Sequence, residues 1–119
     1  MKKILPLLLL VMLAFAGCHP EPATYEFSED AQVVLDNSEK FVNYTFEKSK
    51  RYSAEDWDFT IDQFVMMCKN YRTCQWQLFD KDRERFQNSL TKFMEAVDAT
   101  GNTDLALEVK ARYAEVNER

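Results

Sequence analysis

The stretch from Tyr52 to Leu78 constrains the fold more than any other part of the chain. Its residues at intervals of four and three are all apolar except one: Trp57, Ile61, Phe64, Cys68, Tyr71, Gln75 and Leu78. This spacing is typical of a helix that lays one narrow apolar face against its neighbours. The sequence therefore predicts a long helix here, packed in the interior of a helical domain.

The residues at the start of this stretch carry the signals of a helix N-terminus. Ser53 is a good N-cap, because its hydroxyl can accept a hydrogen bond from an amide of the first turn. Asp56, three positions on, approximates a capping box, and Tyr52 and Trp57 stand at the two positions of a hydrophobic staple. We therefore expect the helix to begin at residue 54 and to end near residue 77.

Three other segments have helical spacing. Ser28 is expected to cap a helix over about 29–50, with this stripe: Ala31, Val34, Leu35, Ser38, Phe41, Val42, Thr45 and Tyr52. Asp80 is expected to cap a third helix, which buries Phe86, Leu90, Phe93 and Val97. After a turn at Gly101, whose lack of a side chain suits a left-handed helix end, Thr103 is expected to cap a short fourth helix.

Turn-forming residues are too few for a sheet of tight hairpins. The chain of 119 residues has 2 Gly and 3 Pro, and every Pro lies within its first 22 residues. Hairpins need such residues in their loops. The composition and the spacing together predict an all-α fold, an antiparallel bundle of three longer helices plus a short fourth.

The first 17 residues have the pattern of an export signal. Lys2 and Lys3 precede a short apolar run, Ile4 to Phe15, that would not comfortably span a bilayer. The run Phe15-Ala16-Gly17-Cys18 resembles the lipobox of bacterial lipoproteins. That resemblance implies that Cys18 becomes the N-terminus and carries acyl chains such as palmitate. An uncleaved anchor and a plain signal peptide are the alternatives.

The lipoprotein interpretation divides the chain into three parts. Residues 1–17 are the signal peptide, residues 18–27 are a Pro-containing tether that reaches about 35 Å when extended, and residues 28–119 form the bundle domain. Several acyl chains would hold the protein on a membrane of the cell envelope, most simply the outer membrane, at its periplasmic or surface face.

The charge of the chain excludes two classes of partner. Loss of Lys2 and Lys3 with the signal peptide lowers the formal net charge from −5 to −7. So acidic a domain is repelled by nucleic acid and by anionic headgroups. We therefore expect no nucleic-acid binding, and a membrane attachment that comes from the lipid anchor rather than from electrostatics.

Residues for catalysis or metal binding are sparse. The one histidine, His19, lies in the predicted tether, which leaves the domain without the commonest general base and metal ligand. The run from Asp80 to Glu84 resembles the start of a calcium loop, but its sixth position is Arg85 and its twelfth is Thr91. The acidic cluster Glu55, Asp56, Asp58 and Asp62 suits the positive end of a helix dipole better than catalysis. We expect a protein that is not an enzyme and has no cofactor.

Cys68 and Cys74 lie six residues apart within the predicted second helix. On a continuous helix they point in different directions and are too far apart for a disulfide. The favoured interpretation is a pair of buried thiols, with Cys68 in the apolar seam. A disulfide made by a break in the helix near 70–72, and a metal or redox site, are the alternatives.

Several aromatic residues fall outside the predicted apolar stripes. They are Tyr44, Phe46, Phe59, Trp76 and Phe79. Exposed apolar side chains of this size are typical of a surface that binds a partner. Trp76, Phe79, Phe59 and Phe46 are therefore the candidate partner surface, with Trp76 between two glutamines as its best anchor. Burial on wider helix faces is the alternative.

Short motifs resemble a class of small helical lipoproteins from Gram-negative gut-type bacteria, for which no activity is established. They are Phe41-Val42, the turn Tyr52-Ser53-Ala54-Glu55-Asp56-Trp57 and Arg112-Tyr113-Ala114. The chain differs from the class at Met66-Met67-Cys68 and at Cys74, where the class has charged residues. The resemblance covers about residues 38–116 and implies a helical fold and a lipid anchor.

The expected function is that of a non-catalytic envelope adaptor or structural interaction module. It would dock a protein partner, not identified by the sequence, through an apolar helix face. The alternative is a helical module that holds a small apolar ligand or acts as an inhibitor of another protein. An adaptor should have a closed core and an exposed aromatic patch, whereas a ligand binder should have a large cavity between its helices.

Overall fold

The computed structural model describes residues 20–118. Its four α-helices are α1 (Ala31–Lys48), α2 (Ala54–Cys74), α3 (Asp80–Asp98) and α4 (Thr103–Glu118). Short 3-10 turns over Ser49–Arg51 and Gln75–Gln77 follow α1 and α2. Residues 20–118 contain no strand, so the predicted all-α bundle is confirmed. The fourth helix is the shortest, although its 16 residues come close to the 18 of α1.

The start of α2 matches the sequence in detail. The Ser53 hydroxyl accepts a hydrogen bond from the Asp56 amide, and the Asp56 carboxylate accepts one from the Ser53 amide, which completes the capping box. The Tyr52 and Trp57 rings pack edge to face with their centroids 5.6 Å apart. The predicted cap and staple are confirmed. The α-helix ends at Cys74, and the 3-10 turn accounts for the remaining residues to 77.

The other helix starts correct three predicted caps. Asp30, not Ser28, caps α1, because its carboxylate accepts hydrogen bonds from the amides of Gln32 and Val33. Asp80 lies inside α3 as its first residue, so it does not cap that helix. The side chain of Asn102, not Thr103, accepts a hydrogen bond from the Leu105 amide at the start of α4. In each case the true cap is one or two residues away from the predicted one.

Consecutive helices run in opposite directions, whereas α1 and α3, the pair with the most extensive contact, are parallel. Gln32 donates a hydrogen bond to Asp82 (3.0 Å) near the start of both helices, and Lys92 donates one to Asn43 (2.8 Å) further along. In the same way α2 lies beside α4, with Arg112 paired to Asp62 at 3.2 Å. The turn at Gly101, whose φ is 70°, reverses the chain between α3 and α4 as predicted.

Stacked aromatic rings fill the centre of the bundle and join α2 to α3. The rings of Phe64 and Phe93 are nearly parallel with centroids 4.0 Å apart, and those of Tyr71 and Phe86 are 3.6 Å apart. Phe41 of α1 stacks on Phe93 at 6.1 Å. The residues of the predicted stripe on α2 are buried, apart from a partly exposed Gln75. The apolar stripe of α2 therefore packs into a core of aromatic rings.

The segment before α1, residues 20–30, lies against the bundle, and we call it the strap. Tyr25 is buried, and its ring packs edge-on against Phe41. Its hydroxyl donates a hydrogen bond to Asn70 Oδ1 (2.7 Å), and its backbone amide donates one to Gln63 (2.6 Å). This differs from the free tether predicted over residues 18–27, because the strap contributes an aromatic side chain to the core.

Replacing Ser53 with Ala should lower the free energy of unfolding by about 1 kcal/mol, because one amide of the first turn loses its acceptor. Ser28→Ala is the matched control. The Ser28 hydroxyl accepts only the Asp30 amide in an exposed turn, so we expect a change of less than about 0.5 kcal/mol. Urea unfolding followed by far-UV circular dichroism measures both. Equal effects would contradict the assignment of the capping box.

Candidate functional site

Three large apolar side chains are exposed at one end of the bundle, which we call the aromatic end. Phe27, Trp76 and Phe79 expose 60%, 75% and 82% of their surfaces. Phe27 belongs to the strap, whereas the other two lie between α2 and α3. Hydrogen bonds of Ser28 to the Asn70 side chain bring the strap to the last turns of α2. All three residues therefore lie at the same end of the molecule.

Local structure holds the two aromatic side chains between α2 and α3 outward. The Trp76 indole donates a hydrogen bond to the Thr73 carbonyl (3.2 Å), and the Gln75 carbonyl accepts one from Arg83 (3.3 Å). Leu78, which lies between Trp76 and Phe79 in the chain, is buried in the core and so fixes the position of this connection. Phe79 follows in an extended conformation at the N-cap position of α3. The connection is thus a fixed turn with its aromatic residues on the outside.

The predicted partner surface is divided by the fold. Trp76 and Phe79 are close in the chain and share the aromatic end, but Phe46 lies at the opposite end, under the Lys92 ammonium group (4.9 Å from the ring centroid). Phe59 lies in the first turns of α2, also far from Trp76. Phe46 and Phe59 are each only 39% exposed. Phe27 was not predicted, because nothing in the sequence indicated that the segment before α1 returns to the bundle.

A cleft of about 820 Å³ opens at the end opposite the aromatic end. Helix α1 and α3 end there, and α2 and α4 begin there. Its walls combine aromatic and acidic side chains: Phe46, Tyr52, Trp57, Glu47, Asp58, Asp104 and Glu108. Lys50 also lines the cleft. This arrangement offers an apolar wall beside carboxylates, and it lies outside the closed core.

Asn70 joins the strap to α2 through a buried polar cluster. Its side-chain oxygen accepts hydrogen bonds from the Tyr25 hydroxyl (2.7 Å) and the Ser28 amide (3.0 Å). Its side-chain amide donates one to the Ser28 carbonyl (2.7 Å). Asn70 itself is fully buried. Asn70 thus provides partners for the Tyr25 hydroxyl and for both the amide and the carbonyl of Ser28.

The strap should become less stably docked at high pH, because the buried Tyr25 hydroxyl is favoured in its neutral form. Burial raises the pKa of Tyr25 from 10.0 to about 12. Its contribution to stability is therefore complete below pH 10 and is lost as the pH rises toward 12, by about 1.4 kcal/mol at pH 11. We expect the drop in unfolding free energy between pH 9 and pH 11 to be smaller by this amount in Tyr25→Phe. Equal drops in the two proteins, measured by urea unfolding, would contradict this.

Cys68 and Cys74 are both free and both buried. Burial raises the pKa of the Cys68 thiol to about 12, and it also raises the pKa of Cys74. The Cys74 thiol points back to the Tyr71 carbonyl (3.7 Å). The structure thus agrees with two buried thiols rather than a disulfide, and neither thiol has the low pKa of a reactive cysteine.

The other candidate sites take ordinary structural positions. In residues 20–118 no three His, Cys, Asp or Glu side chains are grouped as a metal site would need. Asp82, from the run that resembled a calcium loop, instead accepts a hydrogen bond from Gln32. Asp56 serves as part of a capping box, and Asp62 pairs with Arg112.

The lipobox lies outside the described residues, so the assignment of Cys18 as the acylated residue stays a prediction. Within residues 20–118 no helix is long and apolar enough to cross a membrane. Comparisons of the chain with models of protein families, with curated proteins and with solved structures found no match.

Proposed function

We propose that this chain is a lipid-anchored protein of the cell envelope that binds another protein through its aromatic end. It would act as a non-catalytic adaptor or structural interaction module. Acyl chains on Cys18 would hold it on the membrane, most simply the outer membrane, as in the class of helical lipoproteins that its motifs resemble. The protein partner would contact Phe27, Trp76 and Phe79.

The exposed position of Phe79 at the start of α3 is the observation that carries this proposal. Phe79 occupies the N-cap of α3 with no side-chain hydrogen bond to the first turn. Ser, Thr, Asp and Asn are preferred there, and an apolar residue gives up about 1 kcal/mol of helix stability. Its ring is 82% exposed, so the core gains almost nothing from it. A residue that helps neither the helix nor the core is best explained by a contact outside the molecule.

The neighbours of Phe79 support the same interpretation. Trp and other large aromatic residues dominate the binding energy of protein interfaces, because a rigid ring buries much surface at little entropic cost. Trp76 stands on a short turn whose geometry is fixed by Leu78 in the core. A partner would therefore meet a prearranged surface, which lowers the cost of binding.

The non-catalytic part of the proposal follows from the chemistry of the side chains. Residues 20–118 include no histidine. Burial raises the pKa of both thiols, Cys68 and Cys74, which disfavours the nucleophilic thiolate form. Two of the carboxylates on α2 have structural roles, Asp56 in a capping box and Asp62 in an ion pair. These positions favour binding over catalysis.

Trp76→Ala should weaken partner binding by at least about 30-fold, which is the loss expected of a central aromatic anchor. It should change the free energy of unfolding by less than about 0.5 kcal/mol, because the side chain is exposed. Leu107→Ala is the matched control, since Leu107 is also a large exposed apolar residue (59%) but lies on α4, away from the aromatic end. It should leave binding unchanged.

The partner is found by cross-linking in the cell from a photoreactive residue at position 79, with position 107 as the control. One dominant protein that is cross-linked from 79 alone, and lost in Trp76→Ala, is the expected result. Equal products from both positions, or a product that survives Trp76→Ala, would contradict the proposal. If the partner is an enzyme whose activity falls on binding, the chain is an inhibitor-like module that uses the same surface.

The cleft favours a second candidate, a module that binds a small apolar ligand. Trp57, Tyr52 and Phe46 give it an aromatic wall, and its volume of about 820 Å³ is that of a small-molecule site. Ala99 also lines it. A small molecule that is purified with the protein, and is absent from Ala99→Phe, would favour this candidate over the adaptor.

A further inference from the structure

The strap runs along the bundle from the end that holds the cleft to the aromatic end. At its start, Pro20 shares a surface hollow with Glu47, Lys48, Lys50 and Arg51, at the end of α1. Further along, the Glu21 carbonyl accepts a hydrogen bond from the Tyr44 hydroxyl (2.7 Å), and the Glu26 carbonyl accepts one from Asn37 (3.0 Å). The strap is therefore antiparallel to α1 and is attached along its whole length.

This path fixes where the chain leaves the domain. We call the end marked by Pro20, Lys48, Lys50 and Arg51 the anchor end. Only two residues, Cys18 and His19, precede Pro20 in the proposed mature chain, and they span about 7 Å at most. The 18 residues of α1 separate the anchor end from the aromatic end by about 27 Å. A lipid on Cys18 therefore cannot reach the aromatic end while the strap is docked.

We propose that the anchor end faces the headgroup layer of the bilayer that holds the Cys18 lipid, and that the aromatic end points away from the membrane. This inference rests on the proposed lipidation of Cys18 and adds an orientation to it. While the strap is docked, only Cys18 and His19 connect the lipid to the domain. Ten free residues would instead provide a flexible tether of about 35 Å. The partner-binding residues are then presented about 27 Å from the anchor end.

The charges around Pro20 are compatible with this contact but do not cause it. Lys48 and Lys50 beside Pro20 are exposed and suit phosphate headgroups. Glu47, Glu55 and Asp58 are exposed at the same end and oppose such an attraction. The orientation therefore comes from the length and path of the strap, and we expect it to persist on vesicles of zwitterionic phospholipid.

Energy transfer to the membrane surface tests the orientation. The full chain, acylated in the cell and reconstituted in phosphatidylcholine vesicles, carries one donor fluorophore on an azide-bearing residue at position 55 or 84. Glu55 and Glu84 are a matched pair of exposed glutamates: Glu55 lies in the first turn of α2 at the anchor end, and Glu84 lies in the second turn of α3 near the aromatic end. The acceptor is a headgroup-labelled lipid, and the azide chemistry leaves Cys68 and Cys74 unmodified.

The expected transfer efficiency at position 55 is at least about twofold higher than at position 84, because α3 rises about 21 Å between position 84 and its last residue, Asp98, at the anchor end. In an Asn70→Ala background, which removes three of the hydrogen bonds that hold the strap, the difference should shrink. Equal transfer at the two positions in the parent protein, or higher transfer at position 84, would overturn the orientation.

Mass spectrometry of the N-terminal peptide separates this outcome from a failure of the proposed function. An acylated Cys18 with equal transfer overturns the orientation alone and leaves the lipid anchor in place. A peptide without acyl groups, in a protein that does not float with vesicles, overturns both the anchor and the orientation that depends on it.

Discussion

Phe93→Ala should lower the free energy of unfolding by about 3–5 kcal/mol, the cost of emptying a large aromatic site in a packed core. Phe93 is completely buried and lies at the point where three helices meet. Its ring stacks on Phe64 at 4.0 Å and on Phe41 at 6.1 Å, and the Trp57 ring meets it edge-on at 6.3 Å. Removing it takes a contact from each of these rings and leaves a cavity that rigid helices cannot close.

This loss is a large share of the stability of a small domain, which is about 5–15 kcal/mol in total. We expect the melting temperature to fall by at least about 12 °C. Phe79→Ala is the matched control, because it deletes the same side chain at a position that is 82% exposed. It should leave the melting temperature within a few degrees. A loss below about 1.5 kcal/mol for Phe93→Ala would mean that the stacked rings do not form the centre of the fold.

Phe93 is an example of the features of the fold that the sequence could predict. The apolar periodicity placed Phe64 and Phe93 on buried faces, because burial is set by the spacing along each helix. The capping box at Ser53 and the staple at Trp57 were also predictable, since all the atoms involved lie within six residues of one another. Features that depend on local chemistry were thus read correctly at α2.

The pairing of helices could not be read in the same way. The parallel neighbours α1 and α3 meet through Gln32 and Asp82, and through Asn43 and Lys92, which are polar residues about fifty positions apart. An apolar stripe says that a helix has a buried face, but it does not say which helix covers that face. The three displaced caps have a cause of their own, which is that neighbouring residues compete for the cap position. Ser28 and Thr103 each have another good capping residue within two positions, Asp30 and Asn102, and Asp80 is itself the first residue of α3.

The strap escaped prediction for a different reason. Pro20 and Pro22, among polar residues with no periodicity, are typical of an extended linker, and Tyr25 is one aromatic residue with no pattern around it. The Tyr25 hydroxyl donates its hydrogen bond to Asn70. Asn70 lies on the buried face of α2, where its side chain makes its hydrogen bonds with the strap rather than within the helix. A buried asparagine in such a helix is a signal of a distant backbone contact, and it also explains why Phe27 belongs to the aromatic end.

Asn70→Ala should release the strap and lower the free energy of unfolding by about 2–4 kcal/mol, because one group loses its partner in a buried site and two lose theirs in a partly buried one. These are the Tyr25 hydroxyl, the Ser28 amide and the Ser28 carbonyl, at 2.7–3.0 Å from the Asn70 side chain. Of the three, the Tyr25 hydroxyl is the one whose hydrogen bond is buried while the strap is docked. Undocking lets the groups reach solvent, so the strap should open before the helices unfold.

Limited digestion with chymotrypsin measures this opening, because Tyr25 and Phe27 become cleavable only when the strap is free. We expect cleavage at these residues to be at least about tenfold faster in Asn70→Ala, as a loss of about 1.4 kcal/mol or more in docking free energy requires. Asn37→Ala is the control, since it removes only one exposed hydrogen bond to the strap. Similar rates in the two variants would show that Asn70 does not hold the strap. In the proposed lipid-anchored protein, a released strap would lengthen the connection between Cys18 and the domain, and the proposed binding surface would no longer be held at a fixed distance from the membrane.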